Sequence, residues 1–256
     1  MALLTDGNPN DTPALQVYEV GILGVANVEG IDLNVKLGLA TVELSAIILD
    51  VLLDHAWTPD PQTNIRRRTG VSDVVVSPQM TRWHALHTLA IVYRDAFNNQ
   101  LNDRYQPKWN EYRALSRNAQ EETMRFGIGL ALTPIPQAPS PVFSVVPGTN
   151  PDTIYYVQAT WVSLNGQEGA PSEVTTYETP AGSTLVVGTA SPPALATGFN
   201  VYIGLSPTTL ALQSSTPIPI GVNFTLPSSG LVTGNPPGSG QLADIYIIGG
   251  RTLRRG

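Results

Sequence analysis

Cysteine is absent from all 256 residues, which removes disulfide scaffolds, thiolate zinc sites and cysteine nucleophiles from consideration. Charge is also scarce, at 13% of residues, and one sign is missing from half of the chain: no Lys or Arg occurs between Arg125 and Arg251. A stretch without cations cannot neutralise phosphates, so residues 126–250 are excluded as an electrostatic nucleic-acid binder. Long apolar runs are missing as well. The longest, Ala46 to Leu53, is interrupted by Asp50 and falls far short of a membrane span. Met1-Ala2-Leu3-Leu4 runs at once into Asp6, with neither a basic region nor an apolar one, so no secretory leader is expected. These absences point to a soluble, unsecreted protein.

Catalytic signatures are equally thin. There is no Gly-x-Ser-x-Gly elbow, phosphate loop or Gly-x-Gly-x-x-Gly. Glu121 and Glu122 are adjacent, so a helix points them in different directions and they do not pair for acid–base work. His84 and His87 are spaced to share a helix face, but a metal needs a third ligand, and only His55, on another helix, is of matching type. Asp152, Glu168 and Glu173 are the acids that a calcium ion in a β-loop would use. The bland readings, packing and solvation, outweigh both. No enzyme, metal or cofactor is expected.

What the chain does have is periodicity. Trp83, Leu86, Ala90, Tyr93 and Phe97 recur at steps of three and four after the Ser77-Pro78 start, and Tyr105, Trp109, Tyr112, Ser116, Ala119 and Thr123 repeat the pattern. This predicts a helical hairpin with an aromatic seam, turning near Asn98-Asn99 with a second cap at Asn102-Asp103. Upstream, Leu33, Leu37, Ala40, Leu44, Ile47 and Val51 predict a long helix opened by Asp32 and stopped by Pro59 and Pro61, with Ile48 and Leu52 widening its stripe. A short helix after Thr12-Pro13 carries Leu15, Tyr18, Ile22 and Ala26, weakened by Gly21 and Gly24.

Composition then shifts. Residues 133–151 alternate prolines and read as a semi-rigid spacer. Short β-branched and aromatic runs come next, at 154–162, 173–177, 184–187, 199–203 and 223–226, the first ending at Asn165-Gly166. That spacing predicts an antiparallel β-sandwich. The domain reading is therefore 1–132 helical, 133–151 linker, 152–228 β-sandwich, and 229–256 linker and C-terminal arm. The arm's Ile245, Tyr246, Ile247 and Ile248 should seek a partner, adding a strand to another chain's sheet edge, with Arg251, Arg254 and Arg255 pairing acidic groups there. Return to the edge of its own sandwich is the alternative. Arg66, Arg67 and Arg68 mark a loop facing DNA, an acidic partner or solvent.

Arg82-Trp83-His84-Ala85-Leu86-His87-Thr88-Leu89, Val92-Tyr93-Arg94-Asp95, Asn102-Asp103-Arg104-Tyr105 and Lys108-Trp109, with the opening Leu4-Thr5-Asp6-Gly7-Asn8-Pro9, resemble the head-to-tail adaptor (connector) proteins of tailed bacteriophages. Tyr155-Tyr156-Val157 to Thr160-Trp161 and Gly166 to Ser172 resemble a fibronectin type III or Ig-like module of phage structural proteins. The helical likeness covers about half the chain; an inserted sandwich departs from a simple adaptor.

The resemblance implies a multidomain α and β chain: a helical bundle, an Ig-like or fibronectin III-like sandwich and an extended arm. It implies a structural role in the virion neck, after assembly in the host cytoplasm. Partners would be the portal protein, which the arm would reach, downstream tail or neck proteins, and copies of itself in a ring, usually a dodecamer. Non-specific contact with packaged DNA is part of the same expectation; a membrane is not. The free chain should be monomeric or weakly associated. The alternative is a collar, decoration or host-adhesion protein whose β-module binds carbohydrate through Tyr155, Tyr156, Trp161 and Tyr202.

Overall fold

The computed structural model describes residues 2–55, 57–59, 66–100 and 103–248. Five helices come first: α1 (Thr12–Tyr18), α2 (Ile22–Glu29), α3 (Leu33–His55), α4 (Pro78–Gln100) and α5 (Gln106–Phe126). Antiparallel strands dominate the remainder of the chain. It divides into two compact units, one of residues 7–132 with 243–256, the other of residues 1–6 with 133–242.

In the helical unit, local chemistry sets the boundaries. The Asp11 carboxylate accepts from Ala14 N to cap α1, and Asp32 Oδ1 accepts from Asn34 N at 2.9 Å to cap α3. The single short helix expected here is two, because the chain breaks at Glu19–Gly21; Gly30 closes α2 at φ 64°, the left-handed geometry glycine adopts without strain. Helix α4 runs on through Asn98-Asn99 to Gln100, so the turn lies later than expected, and the proposed Asn102 cap falls outside the described residues.

The aromatic seam between α4 and α5 is present. Tyr93 stacks on Tyr112 with centroids 5.5 Å apart, Phe97 on Trp109 at 5.8 Å, and Arg82 pairs Glu122 across the same interface at 2.6 Å. Helix α3 lies on α4, tied by Lys36 to Asp95 at 2.6 Å. Its buried face is Leu33, Leu37, Ala40, Leu44, Ile48 and Leu52; Ile47 and Val51, expected in that stripe, are only half-buried.

Between α3 and α4, β1 (Trp57–Pro59) pairs antiparallel with β2 (Arg66–Arg68), with Trp57 opposite Arg68. The arginine triplet thus lies in a hairpin strand rather than in the loop itself. After α5 comes β3 (Ile128–Leu130), wholly buried. It is flanked on one side by residues 73–75, through Val75 N to Gly129 O at 2.9 Å and Ala131 N to Asp73 O at 2.8 Å.

The second unit holds β4 (Val142–Pro147), β5 (Thr153–Ser163), β6 (Thr175–Thr179), β7 (Ser183–Gly188), β8 (Ala196–Gly204), β9 (Ala211–Leu212), β10 (Ile218–Pro219) and β11 (Phe224–Thr225). One sheet has the order β10-β8-β5-β6, with β9 also on β8; the other has β11-β7-β4. Alternation in β5 sends Tyr155, Val157, Ala159 and Trp161 inward, where they meet Leu185 and Val187 of β7 and Phe199, Val201 and Ile203 of β8 in one core. Gly166, at φ 75°, makes the tight turn after β5 that Asn165-Gly166 predicted.

Two linker assignments are corrected. The proline-rich 133–151 stretch is no spacer: Ile135 and Ala138 are core residues and β4 is a sheet strand. Residues 229–242 are also bound into this unit. Val232 N donates to Gln213 Oε1, Leu212 N to Asn235 O, and Gln241 Nε2 to Thr133 O at 2.8 Å. Prolines here supply strand ends and tight backbone approaches, a use that composition alone does not separate from a linker.

Candidate functional site

The C-terminal segment folds as β12 (Ile245–Ile247), paired antiparallel with β3: Ile245 opposite Leu130, Tyr246 opposite Gly129, Ile247 opposite Ile128. The expectation of an unpaired arm is corrected. The segment neither hangs free nor returns to the β unit, but closes onto the helical unit. Asp244 N donates to Leu130 O at 2.8 Å, and Leu132 N donates to Asp244 Oδ2 at 2.7 Å. Gly129 is required by this closeness, since a Cβ there would stand 2.8 Å from Ala243 Cβ. Ile245 and Ile247 are half-buried, whereas Tyr246 and Ile248 are exposed, so the strand keeps an apolar outer face. Arg251, Arg254 and Arg255 lie outside the described residues. Of Arg66, Arg67 and Arg68, only the Arg68 side chain is described, and it is exposed.

A groove of about 290 Å³ opens between α4 and α5, lined by His87, Arg94, Trp109, Arg113, Ser116 and Arg117, among others. No carboxylate is among its described lining residues. Arg94 is drawn towards Asp95 at 3.2 Å, while Arg113 and Arg117 are exposed one turn apart on α5. Guanidinium groups converging on an aromatic wall fit a carboxylate or phosphate. In the sequence these arginines stand between the seam positions of the two helices, with no sign that α4 and α5 bring them to one groove.

The two helical histidines are separated by their surroundings. His84 is wholly buried: Nδ1 accepts from Asn10 Nδ2 at 3.0 Å, and Nε2 donates to Leu37 O at 3.1 Å, with Thr41 Oγ1 at 3.0 Å. Burial pushes its pKa down to about 4; the Leu37 carbonyl works against this and the neighbouring His87 with it. His87 donates from Nε2 to Glu43 Oε2 at 2.6 Å and accepts at Nδ1 from Ser116 Oγ at 3.2 Å. That Glu–His–Ser line looks like a charge relay. Ser116, however, is buried mid-helix, where backbone N–H groups are already spent on the helix and cannot serve an oxyanion. It ties α3, α4 and α5 together.

Among the described residues no group of three His, Cys, Asp or Glu stands ready for a metal. Glu168, one of the acids considered for calcium, instead accepts from Thr160 Oγ1 at 2.9 Å, Tyr202 Oη at 2.8 Å and the Asn200 amide. Burial and this carboxylate raise the Tyr202 phenol well above its ordinary range.

The caged His84 gives stability a pH dependence of definite sign. Unfolded, it binds a proton near its ordinary value of 6.5; folded, only near 4. Between those values the unfolded state holds more protons, so His84's contribution is complete above pH 6.5 and is lost as pH falls towards 4, on the order of 3 kcal/mol in all. Urea midpoints at pH 7 and 4.5 should show this loss, and His84→Asn, which cannot take up the proton, should flatten it.

No family model, curated protein or solved structure matches the chain.

Proposed function

We propose that this chain is a structural protein of a tailed-phage virion, a head-to-tail adaptor that joins portal to tail in the neck. One observation carries the reading: the α4–α5 hairpin, whose residues 82–109 resemble the adaptor family, is the centre on which α1, α2 and α3 pack. In this reading the arginine-lined groove receives acidic side chains of a neck partner, and Arg66 to Arg68 face a partner or passing DNA. Ile245 to Ile248, with Arg251, Arg254 and Arg255, engage the portal by exchanging β3 for a strand of the partner. Copies of the chain form the ring, and residues 133–242 are an Ig-like or fibronectin III-like sandwich. Two antiparallel sheets sharing one core support that finer assignment.

The role proposed is non-enzymatic: the Glu43–His87–Ser116 line, the relay-like arrangement noted among the described residues, has its serine buried mid-helix with no backbone N–H left to hold an oxyanion. The carbohydrate-binding alternative is weakened by burial of its stacking candidates. Tyr155, Trp161 and Tyr202 are buried, and Tyr156 is only partly exposed.

Purified protein mixed with portal-bearing heads lacking a neck should add a ring of density beneath the portal, visible by electron microscopy. Heads that remain bare at saturating protein, while the chain binds glycan arrays, would replace this reading with the alternative.

A further inference from the structure

Helix α3 carries two apolar stripes where packing on α4 needs one. Opposite its buried face run Val35, Leu39, Val42, Ala46, Leu49 and Leu53, at steps of four, three, four, three and four. Ala46 is exposed, and the others are 59, 36, 65, 39 and 48% exposed in order along the helix. Steps alternating in this way average 3.5 residues, and a stripe of that period stays covered only by another helix lying alongside it. The stripe spans about 27 Å.

The stripe is matched to its own reverse. Turned end for end about Leu44, Val35 faces Leu53, Leu39 faces Leu49 and Val42 faces Ala46, so every layer of the seam is filled. The flanks agree. Along the edge nearer α4 lie Lys36, Glu43 and Asp50, and reversal brings Lys36 of one copy beside Asp50 of the other. A parallel pairing gives Lys36 no acid. Glu43 would meet its own copy, but its carboxylate is already held by His87 at 2.6 Å, as Lys36 is held by Asp95 without exhausting its three N–H donors. Along the other edge, Gly38 and Ser45 are small enough for close approach.

We infer that α3 is the contact of an antiparallel, two-fold dimer of this chain. An isologous pair closes on itself, so it hides the stripe without polymerising. The inference does not depend on the neck reading; within that reading the dimer is the form held before assembly. Two helix faces of this length lie at the small end of protein interfaces, so the pair is a weak one, populated at ~100 µM rather than at high dilution.

The cysteine-free chain makes the register directly testable. Under mild oxidation, Leu39→Cys mixed with Leu49→Cys should yield a cross-linked dimer, while each alone should not, because like positions are ten residues, or about 15 Å, apart along the seam. Wild-type protein at ~100 µM should sediment as a dimer, and Val42→Glu as a monomer with unchanged helical circular dichroism. Cross-linking of Leu39→Cys with itself would overturn the inference in favour of a parallel pair. A wild-type monomer at ~100 µM, or a mixture that does not cross-link, would overturn it outright.

Discussion

Replacing Trp161 with alanine is expected to strip residues 133–242 of much of their stability and leave the helices standing. Trp161 is 1% exposed and sets its ring edge-on to Phe199 at 6.4 Å, in a core that both sheets share. Removing a buried tryptophan costs about 3–5 kcal/mol, because the lost contacts are compounded by a cavity that the sheets cannot close. A domain of this size has about 5–15 kcal/mol in total, so the loss is a large fraction of it. The helical unit has its own buried set around Trp83, Leu89 and Leu44 and should keep its signal at 222 nm. Urea titration followed by circular dichroism would show a low first transition and a helical transition near the wild-type position. Trp161→Phe should lose much less. A single transition that moves as a whole would mean that the two units fold only together.

Removal of residues 243–256 is the second large effect. A free arm could be cut without cost to the fold, but β12 covers β3, whose Ile128 and Leu130 are almost wholly buried. Truncation strips the ladder between the two strands and bares those side chains. At ~0.5–1.5 kcal/mol for each hydrogen bond, plus the apolar area returned to water, the helical unit should lose roughly 2–4 kcal/mol. That is about 5–15 °C in its melting temperature, measurable by calorimetry. Gly129→Ala gives a gentler version, since the added methyl collides with Ala243. An unchanged melt after truncation would return the segment to the status of a loose arm. If the same strand also engages the portal, attachment must compete with β3, and truncation should abolish it as well.

The helices were legible because their information is local. The Thr12-Pro13 start, capping at Asp32 and the three-four spacing of Trp83 to Phe97 need no knowledge of distant residues. Helix α3 was harder for a physical reason. It is apolar on two sides, so periodicity cannot say which side α4 covers, and Ile47 and Val51 fit the stripe as well as Ile48 and Leu52 do. Pairings between distant segments were out of reach. Nothing in Ile245-Tyr246-Ile247 states that its neighbour is Ile128-Gly129-Leu130, over a hundred residues earlier. Likewise, β4, β9 and β10 are too short, or too rich in proline, to show a period of two. The arginine groove depends on the docking of two helices and could not be seen in either alone.

The pairing of β3 with β12 also changes what kind of object the β unit is. The chain leaves the helical unit at Leu132 and re-enters it at Ala243, and Leu132 N is hydrogen-bonded to Asp244. Its exit and re-entry points are thus neighbours, at the mouth of what is otherwise a β-hairpin. Residues 133–242 occupy the position of that hairpin's turn. Exchanging so long a loop for a tight turn lowers the entropic cost of closing it only modestly, since that cost grows with the logarithm of length. Residues 1–6 belong to the same package, because Asp6 Oδ1 accepts from Gln137 N at 2.9 Å. The β unit is therefore an insertion within the β3–β12 pairing, so the strands that bracket it in sequence belong to the other unit's fold and not to its own.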